Sequence, residues 1–164
     1  VRRRAMKALS LQQPYAWLIL QRAYEDDSKK PLKAIENRSW PLPKTFEVPQ
    51  RIWIHASMTM FDVRLGEVRA KMTLTQWQRC KNYLLSIYHE YRTYRTRDRK
   101  RLQQLGSFGC ILGSIVVTGQ VTESKDPWFF GPYGYTLEYP ELLSKPIPLK
   151  GRLGFFDVNV DALK

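Results

Sequence analysis

The chain has 164 residues, five tryptophans and an apolar fraction of 43%, which suits one folded domain with one core and excludes a disordered tail. Its 27 Lys and Arg against 15 Asp and Glu give a formal net charge of +12, which favours an anionic partner. There is no apolar run of about 18 residues and no signal-peptide core at the start, so no membrane association is expected and the cytoplasm is the expected compartment. Cys80 and Cys110 sit in apolar stretches and read as buried thiols; with only His55 and His89 besides them, neither a metal site nor a cofactor is expected.

Lys7 to Leu11 alternates polar and apolar residues as a short strand does. Ser10 can cap a helix with Pro14 in its early turn, and Tyr15, Leu18, Ile19 and Arg22 follow at helical spacing, predicting one helix over 12–24. A charged loop leads to a short strand over 34–40, stopped by Pro41 and Pro43. Arg51 to Ala56 alternates again, with Ile52 and Ile54 in phase. From Thr59 to about Leu105 the pattern is helical. Thr73 and Gln76 have capping-box spacing, and Trp77, Cys80, Leu84, Ile87, Tyr88 and Tyr91 form an apolar stripe. The stripe predicts a long inserted helix over about 75–105, ended by a turn at Gly106 to Gly109.

The remainder reads as strands. Cys110 to Val121 carries Gly113 and Gly119 as candidate bulges, and an aromatic, glycine-rich loop over 128–135 leads into a strand from Tyr135 to Tyr139. Final strands are expected over 147–151 and 154–158. Strands without βαβ alternation, with helices gathered in two insertions, predict an α+β fold: a small β-barrel with peripheral helices. Residues 1–164 are read as a single domain with a basic N-terminal arm over 1–7. That arm carries Arg2, Arg3, Arg4 and Lys7; a second basic block holds Arg92, Arg95, Arg97, Arg99, Lys100 and Arg101. Either block can track a phosphate backbone, or be a solvated face.

Six segments, in order, carry a family resemblance: Ser10 to Ala16 (SLQQPYA), Lys33-x-x-Glu36-Asn37-Arg38-Ser39-Trp40, His55-Ala56-Ser57, Gly109-x-x-Leu112-Gly113, Gly131 to Tyr135 (GPYGY), and Pro146 to Gly154 (PIPLKGRLG). Together they resemble the ASCH domain, the homology domain of activating signal cointegrator 1, over about residues 6–160. The resemblance implies a PUA-like β-barrel whose cleft binds RNA or another nucleic acid. Some members remove the acyl group from N4-acetylcytidine, and at least one kind is reported to cut RNA. In the amidohydrolase branch a Lys-x-x-Thr-x-Arg version of the second segment takes part in catalysis. Carried over, Lys33 fits the Lys and Arg38 the Arg, whereas Glu36 stands where that branch has its Thr nucleophile. The same hydroxyl mechanism is therefore not expected here.

The residues themselves leave alternatives open. Glu36 and Arg38 share one face of a strand, so Glu36 can accept a hydrogen bond from an exocyclic amine while Arg38 holds an oxygen; equally, they can form a structural ion pair. Lys33 is either a desolvated acid–base group or a solvated, phosphate-binding one. Gln13 offers the donor and acceptor that a base edge needs, or caps a helix. Tyr15 and Trp40 can stack on a base, while Trp17 and Trp53 belong to the core. His55 is a buried imidazole or a catalytic one; Ser57 shares its face without a third acidic partner. Tyr133 and Tyr135 either close over a ligand or seal an aromatic turn. The expected function is binding of nucleic acid, RNA foremost, or of a nucleotide through a basic cleft that receives a base. The alternative is hydrolysis in the same cleft, with Lys33, Glu36 and Arg38 as the catalytic set.

Overall fold

The computed structural model describes residues 5–163. Arg2, Arg3 and Arg4 of the expected basic arm lie outside the described residues. β1 (Met6–Gln13) starts within the arm, and there Lys7 pairs with Asp157 at 2.9 Å.

The centre of the fold is a parallel pair, β1 and β3 (Gln50–Met60), in which Leu9 faces Ile54 and Leu11 faces Ala56. Parallel neighbours need a crossover. Here it consists of α1 (Tyr15–Leu18), a loop, and β2 (Ile35–Arg38). β4 (Cys110–Val121) lies antiparallel on β3, and β5 (Tyr133–Pro148) lies antiparallel on β4. β2 adds to the outer edge of β5, and β6 (Phe155–Val158) to the free edge of β1. The resulting six-stranded mixed sheet has the order β2-β5-β4-β3-β1-β6. One core of Leu9, Leu11, Ile19, Ile52, Ile54, Ile115 and Leu137 fills its curved face.

The expected closed β-barrel is corrected, and with it the PUA-like architecture drawn from the ASCH resemblance: the sheet is open. Its two edges are β2 and β6, and Met6 to Leu9 of β1, which a closing β2 would have to reach, already pair with Val158 to Phe155 of β6. Between β2 and β1 a side chain makes the link, Arg38 Nη2 donating to the Ser10 carbonyl at 3.0 Å. The seam that would have been a ladder is thus left as an opening.

Two helical expectations also change. The helix over 12–24 shrinks to the four residues of α1, because the chain beyond it folds back on 30–32. Ala23 N donates to Lys30 O at 2.8 Å and Leu32 N to Gln21 O at 2.7 Å, which takes one donor and one acceptor that a longer helix would need. The long inserted helix divides into α2 (Leu65–Ala70), α3 (Leu74–Tyr94) and α4 (Arg99–Gln104). Thr73 and Gln76 form the reciprocal capping box at the start of α3. Asp98 caps α4 by accepting from Arg101 N at 2.9 Å, so the chain breaks and turns there. Cys80, Leu84 and Ile87 of α3 bury against Leu102 and Phe108 in a second core, with Trp17 and Leu18 of the crossover.

Candidate functional site

A cleft of about 640 Å³ opens at the seam between β1 and β2. The sheet contributes Ser10, Leu11 and Gln12 from β1 and Glu36, Asn37 and Arg38 from β2. The other side is formed by Phe61 and Val63, by Glu67 and Lys71 around α2, and by Phe130 and Gly131 of the aromatic loop; Tyr15 also lines it.

The charge arrangement on the sheet side begins under the surface. Lys33 is fully buried. Its ammonium donates to the Ile35 carbonyl, bonds Glu36 Oε2 at 3.1 Å, and lies 4.7 Å from the centre of the Tyr15 ring. Such a set of partners is what a buried ammonium requires. The other carboxylate oxygen, Oε1, lies 3.5 Å from Arg38 Nε. That Nε is buried and has no hydrogen bond, while Nη2 reaches Ser10. The three groups form a line, Lys33–Glu36–Arg38, anchored at its buried end and lining the cleft at Glu36 and Arg38. The solvated reading of Lys33 is corrected: burial gives it an orienting role on Glu36.

The aromatic side is held by ring contacts and by one amide. Tyr15 and Phe61 lie 5.0 Å apart, and Tyr15 meets Trp128 edge-on at 6.3 Å. Burial pushes the Tyr15 hydroxyl up to about 12, with Glu36 and Glu67 adding to the shift, so it stays a protonated donor at neutral pH. Asn37 accepts from Phe130 N at 2.8 Å and Gly131 N at 3.1 Å, and donates to Trp128 O at 2.8 Å. One β2 side chain therefore ties the loop that carries Phe130 to the sheet at three points, while Asp126 holds Trp128 N and Phe129 N from within the loop. Lys71 sits 5.1 Å from the Phe130 ring and 5.3 Å from the Trp128 ring.

No family model matches the chain, and no curated protein matches it. The site therefore stands on its own geometry.

The structure brings Glu36, Arg38 and Tyr15 together in the cleft and sends the other sequence-selected residues elsewhere. Gln13 is fully buried: its amide donates to Ser107 O at 2.8 Å and its carbonyl accepts from Trp17 N at 3.0 Å. Trp40 packs edge-on against Tyr135 and Phe155, and the buried Tyr135 hydroxyl donates to Trp40 O at 2.9 Å. Tyr133 is half-buried opposite Arg38 in the β2–β5 ladder. These three aromatics support the sheet beneath the site. Arg92, Arg95, Arg97, Arg99, Lys100 and Arg101 are all exposed around the α3–α4 corner and do not line this cleft.

His55 and Ser57 lie in a second cavity of about 510 Å³, which shares Ser10, Gln12 and Arg38 with the first. The buried His55 ring donates from Nε2 to the Leu149 carbonyl, so Nδ1 accepts from the Ser10 hydroxyl at 2.9 Å. Burial holds this imidazole below its ordinary range, against an opposite pull from the Leu149 carbonyl. A neutral, doubly bonded ring positions the strand end and the loop after β5. Ser57 bonds Thr59 locally.

Sequence reading missed Phe61, Val63, Glu67, Lys71 and Phe130. The first four fall in a stretch read as continuous helix, where no periodicity marks a cleft. Phe130 carried one signal, a large apolar residue in a glycine-rich loop. Among the described residues no group of three or more His, Cys, Asp or Glu side chains can hold a metal ion, and no helix is long and apolar enough to cross a membrane.

Proposed function

We propose that this protein binds nucleic acid or a nucleotide by taking a base into the cleft at the β1–β2 seam. The observation that carries the reading is the pairing of aromatic surfaces, Tyr15, Phe61 and Phe130, with an oriented acceptor and donor, Glu36 and Arg38, in one opening. A base presents both a π-face and an edge of donors and acceptors, and this lining addresses both. The net charge of +12 and the exposed arginines around the α3–α4 corner support binding to a polyanion. A single strand is the favoured polymer, RNA foremost as the sequence reading expects, because base recognition of this kind needs an unstacked base, which a single strand offers.

The test is fluorescence anisotropy with labelled single-stranded RNA and DNA at about 50 and 200 mM salt. Affinity is expected to fall steeply with salt, as counterion release demands. Glu36→Gln and Tyr15→Ala are expected to weaken binding at both salt concentrations. Affinity indifferent to salt and to both substitutions would overturn the reading. A hydrolytic reading would use Glu36 as the base that activates water. What favours binding over it is that both Glu36 oxygens already face cations, Oε2 at Lys33 and Oε1 at Arg38.

A further inference from the structure

The two cavities that meet at Arg38 differ in charge. The aromatic cleft contains two carboxylates, Glu36 and Glu67, against two cations, Arg38 and Lys71. The second cavity is lined by Arg38, Lys150 and Arg152 with no Asp or Glu, and its remaining polar groups are neutral: Ser10, Gln12, Ser57, Thr59 and the neutral His55. Arg38 is shared with Glu36, but Lys150 and Arg152 meet no carboxylate in this lining, and a cavity so weighted toward positive charge suits a phosphate. A balanced, ring-lined cavity suits a base.

The loop bearing Lys150 and Arg152 is also fixed in place. His55 holds the Leu149 carbonyl, and Leu149 N donates to Gly109 O at 3.0 Å. Gly151 packs directly on the His55–Ser10 pair: a β-carbon there would lie 2.8 Å from His55 Cε1 and 2.9 Å from Ser10 Oγ. Only a glycine allows the loop to sit so close. The two cations are thereby carried on a backbone anchored to the same Ser10 that touches Arg38. Arg38 stands at the junction: its buried Nε makes no hydrogen bond and faces Glu36 Oε1 at 3.5 Å, and its side chain lines both cavities.

We infer that the ligand is a nucleoside phosphate, with its base in the cleft of Tyr15 and Glu36 and its phosphate on the Lys150–Arg152 loop. This rests on the proposed base-binding reading and narrows it: a free nucleoside would leave the cationic cavity empty. The phosphate can belong to a mononucleotide or to a strand, and the two are separable.

The experiment is calorimetric titration of the protein with the four ribonucleosides, their 5′- and 3′-monophosphates, and dinucleoside monophosphates, at one low salt concentration. A monophosphate or a dinucleoside monophosphate is expected to bind at least about tenfold tighter than the matching nucleoside, the scale of one or two charge-assisted hydrogen bonds. In the Lys150→Ala/Arg152→Ala variant that ratio is expected to fall toward one. Gly151→Val, which forces the loop off His55, is expected to reduce the ratio as well. A preference for the dinucleoside form assigns the phosphate to a strand; a preference for the monophosphate assigns it to a free nucleotide. Nucleosides binding as tightly as their phosphates, or a ratio that survives the double substitution, would overturn the inference while the base-binding reading stands. Binding of none of these ligands would overturn both.

Discussion

On the sheet side of the cleft, Glu36 and Arg38 stand on a strand paired along its length with β5 and are oriented from below by a buried lysine. On the helical side, Phe61 and Phe130 are 46% and 62% exposed; Phe61 rests on the Tyr15 ring and on a backbone bond to Gln13 O, and Phe130 on the Asn37 amide of the opposite wall and on Lys71. The sheet wall is thus preorganised: its charges keep their direction whether or not a ligand is present. The aromatic wall has few buried contacts of its own, and such segments are the ones that open locally. On the proposed reading, chemical selectivity belongs to the first wall and enclosure of the ligand to the second.

Breaking the sheet wall has the largest expected consequence. Lys33→Met leaves the Glu36 carboxylate buried with Arg38 Nε at 3.5 Å as its remaining counter-charge, and is expected to destabilise the fold by about 3 kcal/mol in urea unfolding. The double variant Lys33→Met/Glu36→Gln is expected to recover most of that loss. Additive effects of the two substitutions would mean that the pair is not coupled.

The aromatic wall is expected to respond in the opposite sense. Phe130→Ala exposes little new surface and is expected to leave stability within about 0.5 kcal/mol, while weakening RNA binding by about 2 kcal/mol through lost stacking. A larger effect on unfolding than on binding would reverse the assignment of the two walls.

Asn37 joins the walls and gives an intermediate case. Asn37→Ala leaves Phe130 N, Gly131 N and Trp128 O without their partner, at an expected cost of about 1.5 kcal/mol. Faster amide exchange confined to Phe130 and Gly131 is the sharper readout. Exchange unchanged at those two positions would show that the loop holds itself.

The smallest expected effect is a pH dependence from His55. Its folded pKa is depressed by burial, so the unfolded chain binds the proton more readily than the native one. The contribution is complete above the unfolded value, about 6.5. It is lost as pH falls through the depressed folded value. His55→Gln is expected to flatten the stability profile on the acid side. An unaltered profile would assign that slope to other groups.

The parts legible in the sequence were those set by local periodicity. The period of two put Glu36 and Arg38 on one face, and the structure finds them 3.5 Å apart there. The three-residue spacing of Thr73 and Gln76 foretold the cap on α3, and Gly113 and Gly119 lie where the β4–β5 register slips. The rest depends on partners far away in the chain. Lys33 looks like a surface lysine until the Ile35 carbonyl and the Tyr15 ring close around it. Gln13 looks like a free amide until Ser107 arrives. Whether the sheet closes depends on which strand takes the second edge of β1, and the chain settles that with β6, from its opposite end.

Three strands separate the two that frame the opening: β5, β4 and β3 stand between β2 and β1. The gap between Glu36 and Ser10 is therefore set by the summed bend of those strands, and bulges bend strands; β4 and β5 slip register at three places. At Gly113 a methyl group would collide with the Glu141 carbonyl. Even an alanine there, with no ligand-facing atom, would re-aim β5 and carry β2 with it. The width of the opening is thus set from the inner strands β5 and β4, so on the proposed reading the room for a base can change at the bulges while every residue lining the cleft stays the same.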